Sequence, residues 1–203
     1  MPWFILIAGP NGAGKTTLAT DRDFQNWLIH LAGRPLRHLN PDEIANNYYN
    51  SNPGVTLAEA NYWAANAVPE HAIRCIDAGE SIAVETVLSS GKYERIISRA
   101  HAAGHQVGMI YLAVESAKVL KKRVANRYEA GGHTVPDEKI KDRWKRSLDW
   151  LVKFAPAMDG LFVFDSTSSG LKLLAQKNQG TIIWHGSAKF PKLKARLGAQ
   201  DPR

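Results

Sequence analysis

The sequence predicts an α/β fold: five strands in a mainly parallel sheet, with helices on both faces in a three-layer sandwich. Three observations carry this expectation. Short apolar runs alternate with helix-period stretches from one end of the 203 residues to the other, the pattern of strands joined by crossover helices. The first apolar run ends in a glycine-rich loop that opens directly into a helix pattern. The composition, 44% hydrophobic and 22% charged, belongs to a globular chain rather than a disordered, fibrous or disulfide-stapled one. No linker divides the chain, so a single domain over 1–203 is expected.

Trp3–Ala8 is apolar throughout and reads as a strand buried on both faces. It has no basic flank and stops at Gly9, too short for a signal peptide or a membrane span. Cys75 is the only cysteine, so no intrachain disulfide forms, and a reducing, cytoplasmic setting without membrane contact is expected. Lys15–Leu28 is the first helix. Leu36–Asn40, Ser81–Val87, Gln106–Val114 and Leu161–Asp165 are the remaining strands, each followed by turn or helix-start residues. Helices over Pro41–Tyr49, Leu57–Ala78, Lys92–Ala103, Ala117–Ala130 and Pro136–Phe154 fill the intervals, several of them opened by Pro, Ser or Asp. Tyr62, Trp63, Trp144, Trp150 and Phe154 fall at helical spacings and are read as core. Thr181–His185 is expected to be a late strand outside the main sheet, and the basic segment 188–203 a surface helix or loose tail.

Charge is unevenly divided. Residues 1–100 carry 8 basic and 10 acidic side chains, net −2, whereas 101–203 carry 18 and 9, net +9. Two basic helices flank the glycine break Glu129-Ala-Gly-Gly-His-Thr-Val-Pro136, which gives 117–146 the character of a lid. Basic surfaces of this kind attract phosphorylated small molecules, nucleic acid or acidic lipid, and charge alone does not choose among them.

Gly9-Pro10-Asn11-Gly12-Ala13-Gly14-Lys15-Thr16 fits the P-loop pattern, directly after a buried strand and directly before a helix. In such a loop the backbone N–H groups and the helix N-terminus face phosphate oxygens. Lys15 reaches the β- and γ-phosphates, and Thr16 offers its hydroxyl to Mg²⁺, with Thr17 next in the first turn. No guanine-reading motif follows, which favours ATP over GTP.

The loop's wording, Gly-Pro-Asn-Gly-Ala-Gly-Lys-Thr-Thr, is typical of ABC transporter ATPases. Leu88-Ser-Ser-Gly-Lys-Tyr93 faintly resembles their signature, but no apolar strand ending in Asp-Glu follows it closely. Leu161-Phe-Val-Phe-Asp165 is followed by Ser166, so the glutamate that would polarise a hydrolytic water is missing.

A kinase needs instead a base near the γ-phosphate and arginines that cover it. Asp42 lies at the C-terminal end of the second strand, where open α/β sheets bind ligands; its competing role is a helix-start charge or cap. Glu85 and Thr86 end the third strand, with Ser89 just beyond, and a buried Glu85 needs a partner, an acceptor hydroxyl or a Mg²⁺-bound water. Arg123 and Arg127, one helical turn apart, are placed to reach over a bound triphosphate.

Gly9–Thr16, Asn40-Pro-Asp42-Glu-Ile-Ala45, Glu85-Thr86-Val-Leu-Ser89 and Arg127-Tyr-Glu129 occur in the order seen in zeta toxin-like P-loop kinases, and the chain resembles that family over roughly residues 3–150. The resemblance implies a Mg²⁺-dependent kinase that moves the ATP γ-phosphate to a hydroxyl of UDP-N-acetylglucosamine, with an antitoxin protein as a partner. It makes Lys15 and Thr16 the phosphate and Mg²⁺ groups, Asp42 the general base, Glu85 a substrate-site carboxylate and Arg127 a phosphate-binding arginine. The toxins' second arginine, just before a small-Thr-Pro turn, is missing here, where Gly131-Gly-His133-Thr-Val-Pro136 stands; Arg143 is its candidate replacement, and His133 a candidate phosphate or substrate contact. The Gly-Gly-His-x-Val-Pro wording resembles a shorter branch of the family often labelled predicted ATPases. An ATP-binding switch or nucleic-acid-associated ATPase, using the basic second half as its contact surface, is the alternative.

Overall fold

The structure, a computed structural model, describes residues 1–129, 136–186 and 189–202, with the backbone alone at Tyr128 and Glu129. Its centre is one seven-stranded sheet in the order β2-β3-β1-β4-β5-β6-β7. The five expected strands are present as β1 (Trp3–Ala8), β2 (Arg37–Leu39), β3 (Ile82–Thr86), β4 (Gln106–Ala113) and β5 (Gly160–Asp165), all parallel. Two antiparallel strands, β6 (Lys172–Asn178) and β7 (Thr181–Trp184), extend the sheet beyond β5. The sheet therefore has seven strands rather than five, and β7 belongs to it rather than lying outside.

Helices cover both faces. Phe4, Leu6 and Val84 on one face pack with Val68, Ala72 and Ile76 of α4 (Leu57–Asp77), Ile96 of α5 (Glu94–Ala102) and Leu151 of α7 (Asp137–Phe154). Ile5, Ile7 and Ile110 on the other face meet Ala19 of α1 (Lys15–Ala19) and Leu28 of α2 (Arg22–Ala32). Strand residues of both parities are thus buried, which is why β1 and β4 read as continuous apolar runs. Leu120 and Val124 of α6 (Ala117–Glu129) join Ile140 of α7, Leu112 and Ala13 in a smaller cluster beneath the phosphate loop.

Two further expectations are corrected. The single helix Lys15–Leu28 is two helices: Thr20 Oγ1 donates to the Thr16 carbonyl, ending α1, and the Asp21 side chain caps α2 by accepting from the Phe24 N–H. Tyr62 and Trp63 are not core; they are 76% and 41% exposed, with Trp63 stacked on Tyr48 of α3 (Pro41–Ser51) at 4.1 Å between ring centroids. The basic C-terminal stretch forms a helix, α8 (Pro191–Leu197), whose Leu193 and Leu197 are buried in the main core together with Phe190. Among the described residues no helix is long and apolar enough to cross a membrane.

Candidate active site

The C-terminal ends of β1, β2 and β3 meet at one place, and the sequence puts a different chemical group at each. The loop after β1 is held by its glycines. Gly9 lies so close to β4 that a side chain there would put its Cβ 2.8 Å from the Leu112 carbonyl oxygen, while its N–H donates to the Thr86 carbonyl at 3.2 Å. Gly14 has φ +93, with nothing within 4 Å of the position a Cβ would take, and no side chain caps α1 behind it. The first N–H groups of α1 have no side-chain cap. Ala13 is buried beneath the loop, its carbonyl accepting from the Ser166 hydroxyl at 2.9 Å.

Lys15 lies across this loop, its Nζ donating to the carbonyls of Gly9 at 2.9 Å and Pro10 at 3.3 Å. Burial pushes its ammonium down to about 8; the carboxylates of Glu85 and Asp42 oppose the shift and the Arg127 guanidinium adds to it. Glu85, Asp42 and Arg127 thus lie near enough for their charges to act on Lys15.

Glu85 is 3% exposed at the end of β3, and its cost of burial is met by three partners. Thr16 Oγ1 donates to Oε2 at 2.9 Å, Asn40 Nδ2 donates to Oε1 at 3.1 Å, and His38 Nε2 lies 3.2 Å from Oε1. The Thr16 hydroxyl proton is thereby directed at Glu85, which turns the oxygen's lone pairs elsewhere. The donor set fits a hydrated Mg²⁺ shared with phosphate oxygens, with Thr16 as a direct oxygen ligand and Glu85 behind it. Among the described residues no group of three or more His, Cys, Asp and Glu side chains is assembled to hold a metal ion without such phosphates.

Asp42 is exposed in the first turn of α3. The cap role belongs to Asn40, whose side-chain carbonyl accepts from the N–H groups of Asp42 and Glu43, so the Asp42 carboxylate is not turned back onto its own helix. Thr86 is buried, its hydroxyl accepting from the Leu88 N–H at 3.0 Å, and Leu88 itself has φ +56, a strained turn that sets the course of the loop through half-buried Ser89.

The arginines divide. Arg143 of α7 donates through Nη1 to Asn11 Oδ1 at 3.3 Å, which brings the candidate replacement for the missing second arginine onto the phosphate loop. Arg127, exposed on α6, stands within the field of Lys15. Arg123, expected to reach the triphosphate, instead turns its guanidinium onto backbone: Nη1 donates to the Gly12 carbonyl at 3.2 Å, and Nη2 to those of Ser166 at 2.6 Å and Thr167 at 3.1 Å. Lys121 Nζ pairs with Asp137 Oδ2 at 2.8 Å, tying α6 to α7. His133 lies outside the described residues.

Sequence reasoning missed three residues. Asn40 was visible as an Asn before a Pro at a helix start, a cap signal. His38 and Ser166 carry no local signal, since only the fold brings them to Glu85 and to the loop.

The family model for zeta toxin matches residues 1–179. No curated protein matches the chain. Among solved structures, a chain from the PezAT chromosomal toxin–antitoxin system of Streptococcus pneumoniae is similar over 100% of this chain and 81% of its own, with a TM-score of 0.69 and 16% identity. A chain of the AvrRxo1-ORF1:-ORF2 complex with ATP is similar over 98% of this chain and 63% of its own, with a TM-score of 0.68 and 18% identity. The Pnkp1/Rnl/Hen1 RNA repair complex contains a third, over 75% of this chain and 46% of its own, with a TM-score of 0.56 and 16% identity. At these identities the likenesses are of fold.

Proposed function

This chain belongs to the zeta toxin family, and on that premise we propose that it is an ATP-dependent kinase transferring the γ-phosphoryl group to a hydroxyl of a small molecule, with UDP-N-acetylglucosamine as the leading acceptor. The observation that carries the reading is the convergence of Lys15, Thr16, Glu85 and Asp42 at the ends of three neighbouring parallel strands. Phosphoryl transfer asks little covalent chemistry of a protein and much positioning and charge.

The loop from Gly9 to Gly14, with Thr17, cradles the triphosphate. Lys15 leaves the Gly9 and Pro10 carbonyls for the β- and γ-phosphates. The Thr16 hydroxyl would hold Mg²⁺, which when bound neutralises phosphate charge. Asp42 accepts the acceptor's hydroxyl proton as its oxygen bonds the γ-phosphorus and the bond from that phosphorus to the β–γ bridging oxygen breaks, releasing ADP. Thr86 and Ser89 stand on the acceptor side, Glu85 stands behind the Thr16 hydroxyl, and His133 is a candidate contact for phosphate or substrate. Helices α6 and α7 carry Arg127 and Arg143 toward the transferring group, where they stabilise its charge. Arg123 supports the nucleotide side by holding the Gly12 carbonyl. An antitoxin protein that covers the nucleotide or acceptor site is the partner this reading suggests.

The test is incubation of purified protein with labelled ATP, Mg²⁺ and UDP-N-acetylglucosamine, reading the sugar nucleotide by mass. Wild type is expected to give a phosphorylated product, Lys15→Ala none, and Asp42→Ala none while still binding ATP. Transfer by Asp42→Ala at the wild-type rate overturns the base assignment. ATP binding without any product overturns the choice of acceptor, and a salt-sensitive shift with oligonucleotides would then favour the ATPase reading.

A further inference from the structure

Asn40 has every hydrogen-bonding site of its amide engaged. Nδ2 donates to Glu85 Oε1 at 3.1 Å and to Glu43 Oε1 at 3.3 Å, while Oδ1 accepts from the backbone N–H of Asp42 at 2.9 Å and of Glu43 at 3.5 Å. The residue is 4% exposed, and its bond to Glu85 is buried, away from bulk water. Through the amide N–H it touches the carboxylate that holds the Thr16 hydroxyl; through the carbonyl it fixes the helix turn that carries Asp42.

We infer that Asn40 is a positioning residue that couples the two halves of the site, setting the Mg²⁺-facing hydroxyl of Thr16 through Glu85 and the acceptor-facing carboxylate of Asp42 through the first turn of α3. The inference rests on the kinase reading for the roles of Thr16 and Asp42. Only an amide fits the position. Aspartate or serine caps a helix as well as asparagine does, but aspartate has no donor for Glu85 and adds a like charge beside it, and serine is too short to span from the α3 N-terminus to that carboxylate. His38 braces the same Glu85 oxygen from β2, so Glu85 is held from two sides against the pull of Thr16. Partners that orient a metal ligand from behind matter about 10–100-fold in metal affinity or activity when removed.

The test compares wild type with Asn40→Ser, which keeps a helix cap and loses the Glu85 contact. Four readings are taken: thermal unfolding, ATP affinity by calorimetry with and without Mg²⁺, kcat, and the KM of the acceptor. Asn40→Ser is expected to fold, to bind ATP without Mg²⁺ as wild type does, and to lose about tenfold or more of the affinity gained on adding Mg²⁺. Its kcat is expected to fall about tenfold or more, with the acceptor KM within about twofold, because Asn40 does not touch the acceptor. A folded Asn40→Ser with the wild-type Mg²⁺ gain and wild-type kcat overturns the inference. Should Asn40→Ser not fold, Asn40→Asp, which keeps the helix cap and puts no donor on Glu85, is read the same way. If the wild type phosphorylates no acceptor, the Mg²⁺ dependence of ATP affinity still reports on the Asn40–Glu85–Thr16 half, so failure of the kinase reading and failure of the coupling are told apart.

Discussion

Arg143 and Asn11 meet across 132 positions of sequence, the guanidinium Nη1 donating to the side-chain carbonyl of the phosphate loop at 3.3 Å. A helix that the sequence places well downstream thus presents a fixed positive charge to the mouth of the cradle. Arginine suits the task because its planar fork stays charged at any working pH and matches phosphate oxygens two at a time.

Replacing Arg143 by alanine is expected to lower kcat by about 10²-fold or more, the scale of losing a preorganised donor that stabilises developing charge. Lysine should restore less than a tenth of that loss because it lacks the fork. Steady-state kinetics with both variants decide the matter, and an unchanged kcat in Arg143→Ala would remove the residue from the transfer step.

Lys15 supplies a pH signature. Burial lowers its ammonium to about 8, so a substantial share of the molecules carry it neutral at pH 8.5. The triphosphate favours the charged form, and ATP binding should therefore take up a proton at pH 8.5, with almost none taken up by this group at pH 6.5. The sign follows from the lowered value: above about 8 part of the binding energy goes to reprotonating the lysine, so ATP affinity falls as pH rises. Calorimetry in buffers of different ionisation enthalpy measures the uptake, and Lys15→Ala should abolish it.

Arg123→Met is expected to cost about 2–4 kcal/mol in unfolding free energy, since hydrogen bonds to a charged group contribute about 1.5–3 kcal/mol each and their loss here is only partly offset by the apolar side chain. The three carbonyls it joins belong to the phosphate loop and to the segment after β5. The same variant should therefore weaken ATP binding, a pairing of effects that denaturant unfolding and calorimetry read separately.

Far from the cradle, Tyr111 and Ser147 share a buried hydrogen bond of 2.8 Å between β4 and α7, and burial raises the phenol well above its ordinary value. Tyr111→Phe or Ser147→Ala alone leaves one buried hydroxyl without its partner and should cost about 1–3 kcal/mol. The double variant should cost less than the sum of the singles by about 0.5–2 kcal/mol, and a strictly additive result would mean the bond contributes nothing.

How much of this was legible in the sequence follows from where each signal lives. The cradle was, because its chemistry needs consecutive residues in one loop. The central strands β1 and β4 were also, because burial on both faces writes an unbroken apolar run. The β6–β7 hairpin was not. Only Leu174 and Ala175 of β6 are buried in a stretch with Lys at 172 and 177, and its turn uses Gln179 at φ +46 before Gly180 at φ +81, where an Asn or Asp would have announced the type. Tyr62 and Trp63 misled through their spacing: α4 runs 21 residues, and its buried face is lined by small residues such as Ala60, Ala64 and Ala72. The approach of Asn40, His38 and Thr16 to Glu85 depends on the order of strands, which no local pattern encodes.

The order of strands has one more consequence, for how these molecules behave toward one another. A sheet of seven strands presents two open borders, each a row of backbone groups able to recruit a strand from a neighbouring molecule. Here one border is β2, only three residues long with Arg37 and His38 exposed, and the other is β7, whose outer side is already engaged by Gln200: the Trp184 N–H donates to its carbonyl and its N–H to the Ile182 carbonyl. Both borders are too short or too occupied to template a fibril, so concentrated protein should resist edge-to-edge aggregation while the sheet stays folded.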